Sequence, residues 1–249
     1  WTQDFGRWGW ANGDSMGRLA YALMLQAVRK CTREDLEFAE AYLLNVHDVC
    51  STHSPAYPEH NGEHFRYIKG AAHRHGAWPW ACPYVGIRGA HPVGAKIHYF
   101  VTGEGHSKDI LDELTQLVLR NPNGGEGDGP LGPNAQIYLY QWEATGKDEW
   151  RQKLKQELGT SEGLKNATGG WLVMMNAAFG IQNALDEYMD LSGDYAMRPL
   201  AASYADRCLP AEMKRHWTWG GYYRVYASAY NYSGDEKYRE AIKEMLPVL

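Results

Sequence analysis

A Thr-Gly or Ser-Gly pair followed by a polar residue recurs along the chain, at Thr102-Gly103, Thr145-Gly146, Ser192-Gly193 and Ser233-Gly234, with intervals of 43, 47 and 41 residues. A glycine-less counterpart stands earlier, at Cys31-Thr32-Arg33. Periods of roughly 40–50 residues mark stacked helix pairs, because one pair cannot bury its apolar face alone. The halves around each turn differ. Leu19–Leu25, Trp171–Met175 and Tyr222–Tyr230 precede turns and are apolar nearly all round. After the turns, Ile110, Leu111, Leu114, Leu117 and Val118 form one stripe, as do Tyr238, Ile242, Met245 and Leu246. An all-round apolar helix is buried on every side and a striped one keeps a solvent face. The first helix of each pair is therefore expected inside and the second outside. About five such hairpins closing on themselves give an all-α fold, an α/α toroid or incomplete six-hairpin barrel. An open superhelix of helix pairs is the alternative.

The length of 249 residues suits one domain spanning 1–249. The turns inside pairs are short, whereas the connections between pairs are long, at about residues 49–90, 120–134, 159–170 and 209–218. The long loops are then expected on one face, at the N-terminal ends of the inner helices, and long loops in a compact domain tend to carry function. A net charge of −5 argues against a nucleic-acid binder, and no apolar run reaches the roughly 20 residues of a membrane span. The four cysteines, Cys31, Cys50, Cys82 and Cys208, are widely spaced and read as buried thiols rather than a disulfide framework. The chain begins at Trp1 without a leader-like start and reads as a mature chain or an excerpt of a longer multidomain protein. A secreted or periplasmic location is favoured over the cytoplasm. Ten Trp and 17 Tyr against five Phe suit a wet, concave site lined by flat rings as well as a core.

Chemistry is concentrated early. Nine of the ten histidines lie between His47 and His106, and the forty residues from His64 to Gly103 contain no Asp or Glu. Arg66, Lys69, Arg74, Arg88 and Lys96 fall in that stretch with His64, His73, His75, His91 and His98. A locally cationic segment in an acidic chain is a trap for an anionic ligand. Tyr67, Trp78, Trp80 and Tyr84 interleave with the charges, and flat rings stack on sugar faces. An acidic carbohydrate satisfies both features. Trp8 and Trp10, ahead of the first inner helix, could extend the sugar platform, with His53 and His64 near it. His73 and His75, two apart in an extended loop, share a face. They could move protons or bind a divalent metal (Ca or Zn) with a third ligand such as His53, Asp48, His64 or His91. Asp48 could instead orient a histidine. His98, inside the helix that follows His91, reads as a packed histidine. His106 sits by a short turn and is expected on the opposite face from the site.

Helix-pair tips of the type Tyr99-Phe-Val-Thr-Gly-Glu104 resemble those of six-hairpin α/α-toroid carbohydrate-active enzymes. More narrowly, the order of Trp8-Gly-Trp10, His47-Asp-Val-Cys-Ser-Thr-His53, His73-Arg-His-Gly-Ala-Trp-Pro-Trp80 and Ala90-His-Pro-Val-Gly-Ala-Lys-Ile-His98 resembles the catalytic domain of the exo-acting rhamnogalacturonan lyases. That resemblance covers roughly residues 8–120 and implies flanking β-rich domains. Pro92-Val93 and Gly94-Ala95 depart from the Thr-Trp and Glu-Gly pairs typical of the family, which leaves the substrate open.

A polysaccharide lyase removes the proton beside a uronate carboxylate and expels the 4-linked sugar by β-elimination. Arg74 or Arg88 could neutralise the carboxylate where charge develops. His73, His75 or His91 could take the proton, and Tyr67, Tyr84 or another histidine could give one to the departing oxygen. Two other readings stand beside this one. A glycoside hydrolase would draw two carboxylates from Asp4, Asp14, Asp48, Glu59, Glu63, Glu126 and Asp128. A non-catalytic carbohydrate-binding toroid would turn nothing over.

Overall fold

The computed structural model describes residues 13–49, 51, 53, 69–74, 84–86, 92–120, 132–160, 182–209 and 221–246. These are predominantly helical and fall into two compact units, Trp1–Asp128 and Gly129–Leu249. The first unit holds α1 (Gly13–Lys30), α2 (Arg33–Leu44), a π-helical turn (Asn45–Val49), β1 (Ala72–Arg74), β2 (Tyr84–Gly86), α3 (Val93–Thr102) and α4 (Gly105–Arg120). The second holds α5 (Gly132–Thr145), α6 (Asp148–Thr160), α7 (Gln182–Ser192), a 3-10 turn (Tyr195–Met197), α8 (Arg198–Cys208), α9 (Gly221–Ser233) and α10 (Glu236–Met245). Five helix–turn–helix pairs are thus present among the described residues, and no helix among them is long and apolar enough to cross a membrane.

The repeated turn is one device built four times. Gly103, Gly146, Gly193 and Gly234 all have φ between 66 and 72°, a left-handed conformation that a Cβ disfavours. A Cβ there would meet nothing within 4 Å, so the backbone angle alone sets the requirement. The preceding Thr or Ser hydroxyl donates to the carbonyl four residues back at 2.6–2.7 Å. It also accepts the N–H two residues on at 3.1–3.3 Å. One side chain thus pairs an N–H that the helix end leaves free and adds a second bond to a carbonyl of the last turn. The first hairpin departs. Lys30 and Cys31 replace the hydroxyl–glycine pair, and Cys31 itself takes φ 54°. Thr32 then caps α2 by accepting the Asp35 N–H at 3.3 Å.

Burial follows the inner-and-outer scheme in part. The stripe Ile110, Leu111, Leu114, Leu117 and Val118 is buried along α4, while Asn134 through Gln141 are buried at every position of α5. In contrast, α1 is not buried all round. Ala20, Met24 and Ala27 face the core, but Leu25 and Val28 are exposed. Its buried stripe meets Ala39 of α2 and Ile97 of α3. Gly94 sets the close approach of α3, since a Cβ there would lie 3.2 Å from the Ala20 Cβ and the Leu43 Cδ1. On α10, Ala241 replaces Leu246 in the buried stripe, because Leu246 falls at the C-cap and faces solvent.

The two strands qualify an otherwise helical fold. Ala72–Arg74 pairs antiparallel with Tyr84–Gly86, in the register Ala72 with Gly86, His73 with Val85 and Arg74 with Tyr84. What the sequence suggests is an extended loop is, at His73 and Arg74, one arm of a hydrogen-bonded ribbon. β1 rests on α1, and Gly70 just before it packs on the backbone of Glu113 in α4.

Part of the tyrosine count serves the core. Tyr188, Tyr204, Tyr226 and Tyr238 are buried in the second unit, and their hydroxyls tie elements together. Tyr204 Oη donates to the Leu158 carbonyl near the end of α6 at 2.7 Å, and Tyr226 Oη to the Cys208 carbonyl ending α8 at 2.6 Å. Tyr238 Oη reaches Asp206 at 2.8 Å and Tyr188 Oη reaches Asp194 at 3.0 Å. A phenol fills core volume and carries a donor to the carbonyls that a helix C-terminus leaves unpaired, which Phe cannot do. Of the thiols described, Cys208 is buried as expected, whereas Cys31 is exposed on its turn.

Candidate functional site

The described part of the candidate site is a set of imidazoles and carboxylates on the first unit. It starts where α2 changes pitch. The π-helical turn over Asn45–Val49 widens the last turn of the helix, and such turns re-aim side chains at functional sites. His47 is turned inward and is only 4% exposed, with its Nε2 lacking a hydrogen-bond partner. Burial pushes its imidazole down to about 4, against the opposing pull of Asp48 and with further lowering from His106 and His53, so the ring is neutral near pH 7. Asp48 is turned outward and accepts from His106 Nε2 at 2.8 Å. This corrects the expected position of His106. Asp48 does hold a histidine, and that histidine comes from the first turn of α4, 58 residues away.

Two turns along α4, Glu113 gathers a second group. Lys69 Nζ lies 2.7 Å from its Oε1, and His53 Nδ1 lies 3.7 Å from its Oε2. His106 and Glu113 are seven residues apart and so share one helix face, separated by about 10 Å. The sequence segment that lacks acids is therefore not acid-free in space, because α4 supplies a carboxylate to it. Lys96 also leaves the expected cation set, being 6% exposed inside α3.

A third constellation looks catalytic by residue type. His98 Nδ1 lies 2.8 Å from Ser107 Oγ, and its Nε2 lies 3.5 Å from Glu40 Oε1 without hydrogen-bond geometry. Ser107 is fully buried and His98 is 1% exposed, so no substrate carbonyl reaches the hydroxyl. The group pins α2, α3 and α4 together, in keeping with a packed His98.

Of the other residues singled out from the sequence, His73, Arg74 and Tyr84 stand on the ribbon, with Arg74 and Tyr84 directly paired in register. Trp8, Trp10, His64, Tyr67, His75, Trp78, Trp80, Arg88 and His91 lie outside the described residues. For the metal reading, Asp48 is engaged by His106 and His53 faces Glu113, and no group of three metal-ligating side chains gathers among the described residues. Sequence reasoning missed His106 and Glu113. Their seven-residue spacing on the polar face of α4 was the available signal, but the partners they take are distant in sequence.

The second unit holds two carboxyls shifted by burial. Glu157 on α6 is raised to about 7, and its Oε1 has no hydrogen-bond partner. Asp186 on α7 is raised by burial while Ser228 Oγ and Gln182 Nε2 donate to it at 2.5 and 2.9 Å.

Compared with known proteins, the chain matches no family model, no curated protein and no solved structure.

Proposed function

We propose that this chain is a polysaccharide lyase that cleaves an acidic, uronate-containing polysaccharide of rhamnogalacturonan type by β-elimination, on a single α/α toroid spanning 1–249. The observation that carries the reading is the forty-residue cationic stretch between His64 and Gly103, within which Arg74 and Tyr84 occupy paired ribbon positions. β-Elimination requires a fixed positive charge for the uronate carboxylate, a base for the adjacent proton and a donor for the departing oxygen. Arg74 or Arg88 serves the first need, His73 or His75 the second, and Tyr67, Tyr84 or a further histidine the third. A neutral substrate would leave this cationic concentration without purpose.

The experiment is incubation of the chain with uronate-containing polysaccharides while ultraviolet absorbance is followed. Elimination leaves a double bond conjugated to the carboxylate and raises the absorbance. Reducing ends released without that rise would replace the lyase reading with the hydrolase, and binding without any product would leave a carbohydrate-binding toroid. His73→Ala combined with His75→Ala is expected to lower the rate by about a hundredfold or more. Unchanged turnover would remove both from the site.

A further inference from the structure

Resting on the lyase reading, we propose that His106, positioned by Asp48, donates the proton to the departing sugar oxygen. The Asp48–His106 pair joins two segments 58 residues apart at 2.8 Å, and the imidazole side chain is 42% exposed. Asp48 accepts from Nε2 whether the ring is neutral or charged, so the ring keeps one orientation and Nδ1 is the atom left for chemistry. No other hydrogen bond of His106 is recorded among the described residues. Its neighbour His47 is buried and neutral, so it adds bulk and rigidity beside the pair without a competing charge. The same face of α4 that carries His106 also carries Glu113, which pairs with Lys69 at 2.7 Å and whose backbone lies against Gly70, just ahead of the ribbon strand Ala72–Arg74. One helix thus carries both the dyad and the contact that anchors the ribbon strand.

The step balances as follows. The base on the ribbon segment takes the proton from the carbon beside the carboxylate. That carbon's electron pair forms the new carbon–carbon double bond, and the bond to the 4-linked oxygen breaks. The oxygen leaves with its electrons and takes the Nδ1 proton of the His106 imidazolium. His106 is then a neutral imidazole and the base is protonated; after the product departs the base releases its proton to solvent and His106 takes one up, so the cycle closes with no net proton consumed.

The test is steady-state kinetics of the full chain on a uronate polymer, read by ultraviolet absorbance. His106→Ala should lower kcat by about a hundredfold or more, leave KM within about threefold and keep the unfolding temperature. Added imidazole should restore part of the rate, which a lost structural contact would not allow. His106→Gln keeps a polar side chain against Asp48 and should be folded and equally slow. Asp48→Asn should show a smaller loss, also in kcat. His106→Ala or His106→Gln turning over at the wild-type rate, or a loss confined to KM with no imidazole rescue, would overturn the assignment. If the wild type makes no unsaturated product, the lyase reading falls and this role with it. Product from the wild type beside an unimpaired His106→Ala would overturn this role alone.

Discussion

The two compact units use polar residues in opposite ways. In the first, the chain departs from regular helix, with a π-helical turn and a short ribbon, and places histidines at the departures. Asp48 pairs with His106 and His53 faces Glu113, contacts between segments distant in sequence. In the second, helix pairs are tied by tyrosine hydroxyls to helix-end carbonyls, and burial raises two carboxyls, Glu157 and Asp186. The first pattern leaves His106 exposed and held by Asp48, beside a buried His47. The second satisfies backbone groups and adds rigidity. Irregular backbone with histidine therefore marks the candidate site, and helix pairs tied by tyrosine mark the scaffold.

The largest effects that would sharpen this contrast are in pH dependence. His47 is held neutral in the fold, at about 4 against 6.5 in the unfolded chain. The unfolded state binds a proton that the folded state refuses, so the first unit should lose stability as pH falls from 6.5 towards 4, by about 3 kcal/mol. Glu157 has the opposite sign. Its folded value of about 7 lies above the ordinary 4.5, so the folded state keeps a proton that the unfolded state releases. The second unit should lose about 3 kcal/mol as pH rises from 4.5 through 7. Amide hydrogen exchange, corrected for intrinsic rate, reads α1–α4 and α5–α10 separately. His47→Leu should flatten the first trend and Glu157→Gln the second. Trends of the same sign in both units would break the comparison.

Next in size are the tyrosine ties. Tyr204→Phe and Tyr226→Phe each leave a carbonyl without its donor and should cost about 1 kcal/mol in denaturant unfolding. No change in either variant would mean that the hydroxyls are incidental to packing. The smallest effect concerns the first turn. Cys31→Gly relieves a left-handed non-glycine residue, partly offset by greater unfolded-state freedom, and should stabilise by about 0.5–1 kcal/mol. Gly146→Ala at the equivalent turn should destabilise by about 1 kcal/mol, and the same thermal melts read both. A destabilised Cys31→Gly would show that its thiol contact to the Val28 carbonyl outweighs the backbone strain.

Much of the helical scaffold was legible because its signals are local. Thr102-Gly103 and its three repeats carry the turn's chemistry in adjacent residues, and the α4 stripe repeats within two turns. Much less of the site was legible, for two physical reasons. A π-helical turn shifts the phase of every following side chain, so helical spacing did not show that His47 goes inward and Asp48 outward. The pairings of Asp48 with His106 and of His53 with Glu113 join segments with no local cue to each other. His106 was assigned to the far face from its loop alone, and the Tyr count, which suits a cleft and a core alike, did not show that Tyr204 and Tyr226 serve helix ends.

Elimination and hydrolysis differ in what water contributes, and that difference tests the proposed function most directly. Digestion of a uronate polymer in heavy-oxygen water, followed by mass spectrometry of the fragments, reads the fate of the broken bond. β-Elimination predicts fragments lighter than hydrolysis products by one water, unsaturated at the uronate end, with no solvent oxygen fixed by the cleavage itself. Saturated fragments that carry one solvent oxygen from the break would contradict it.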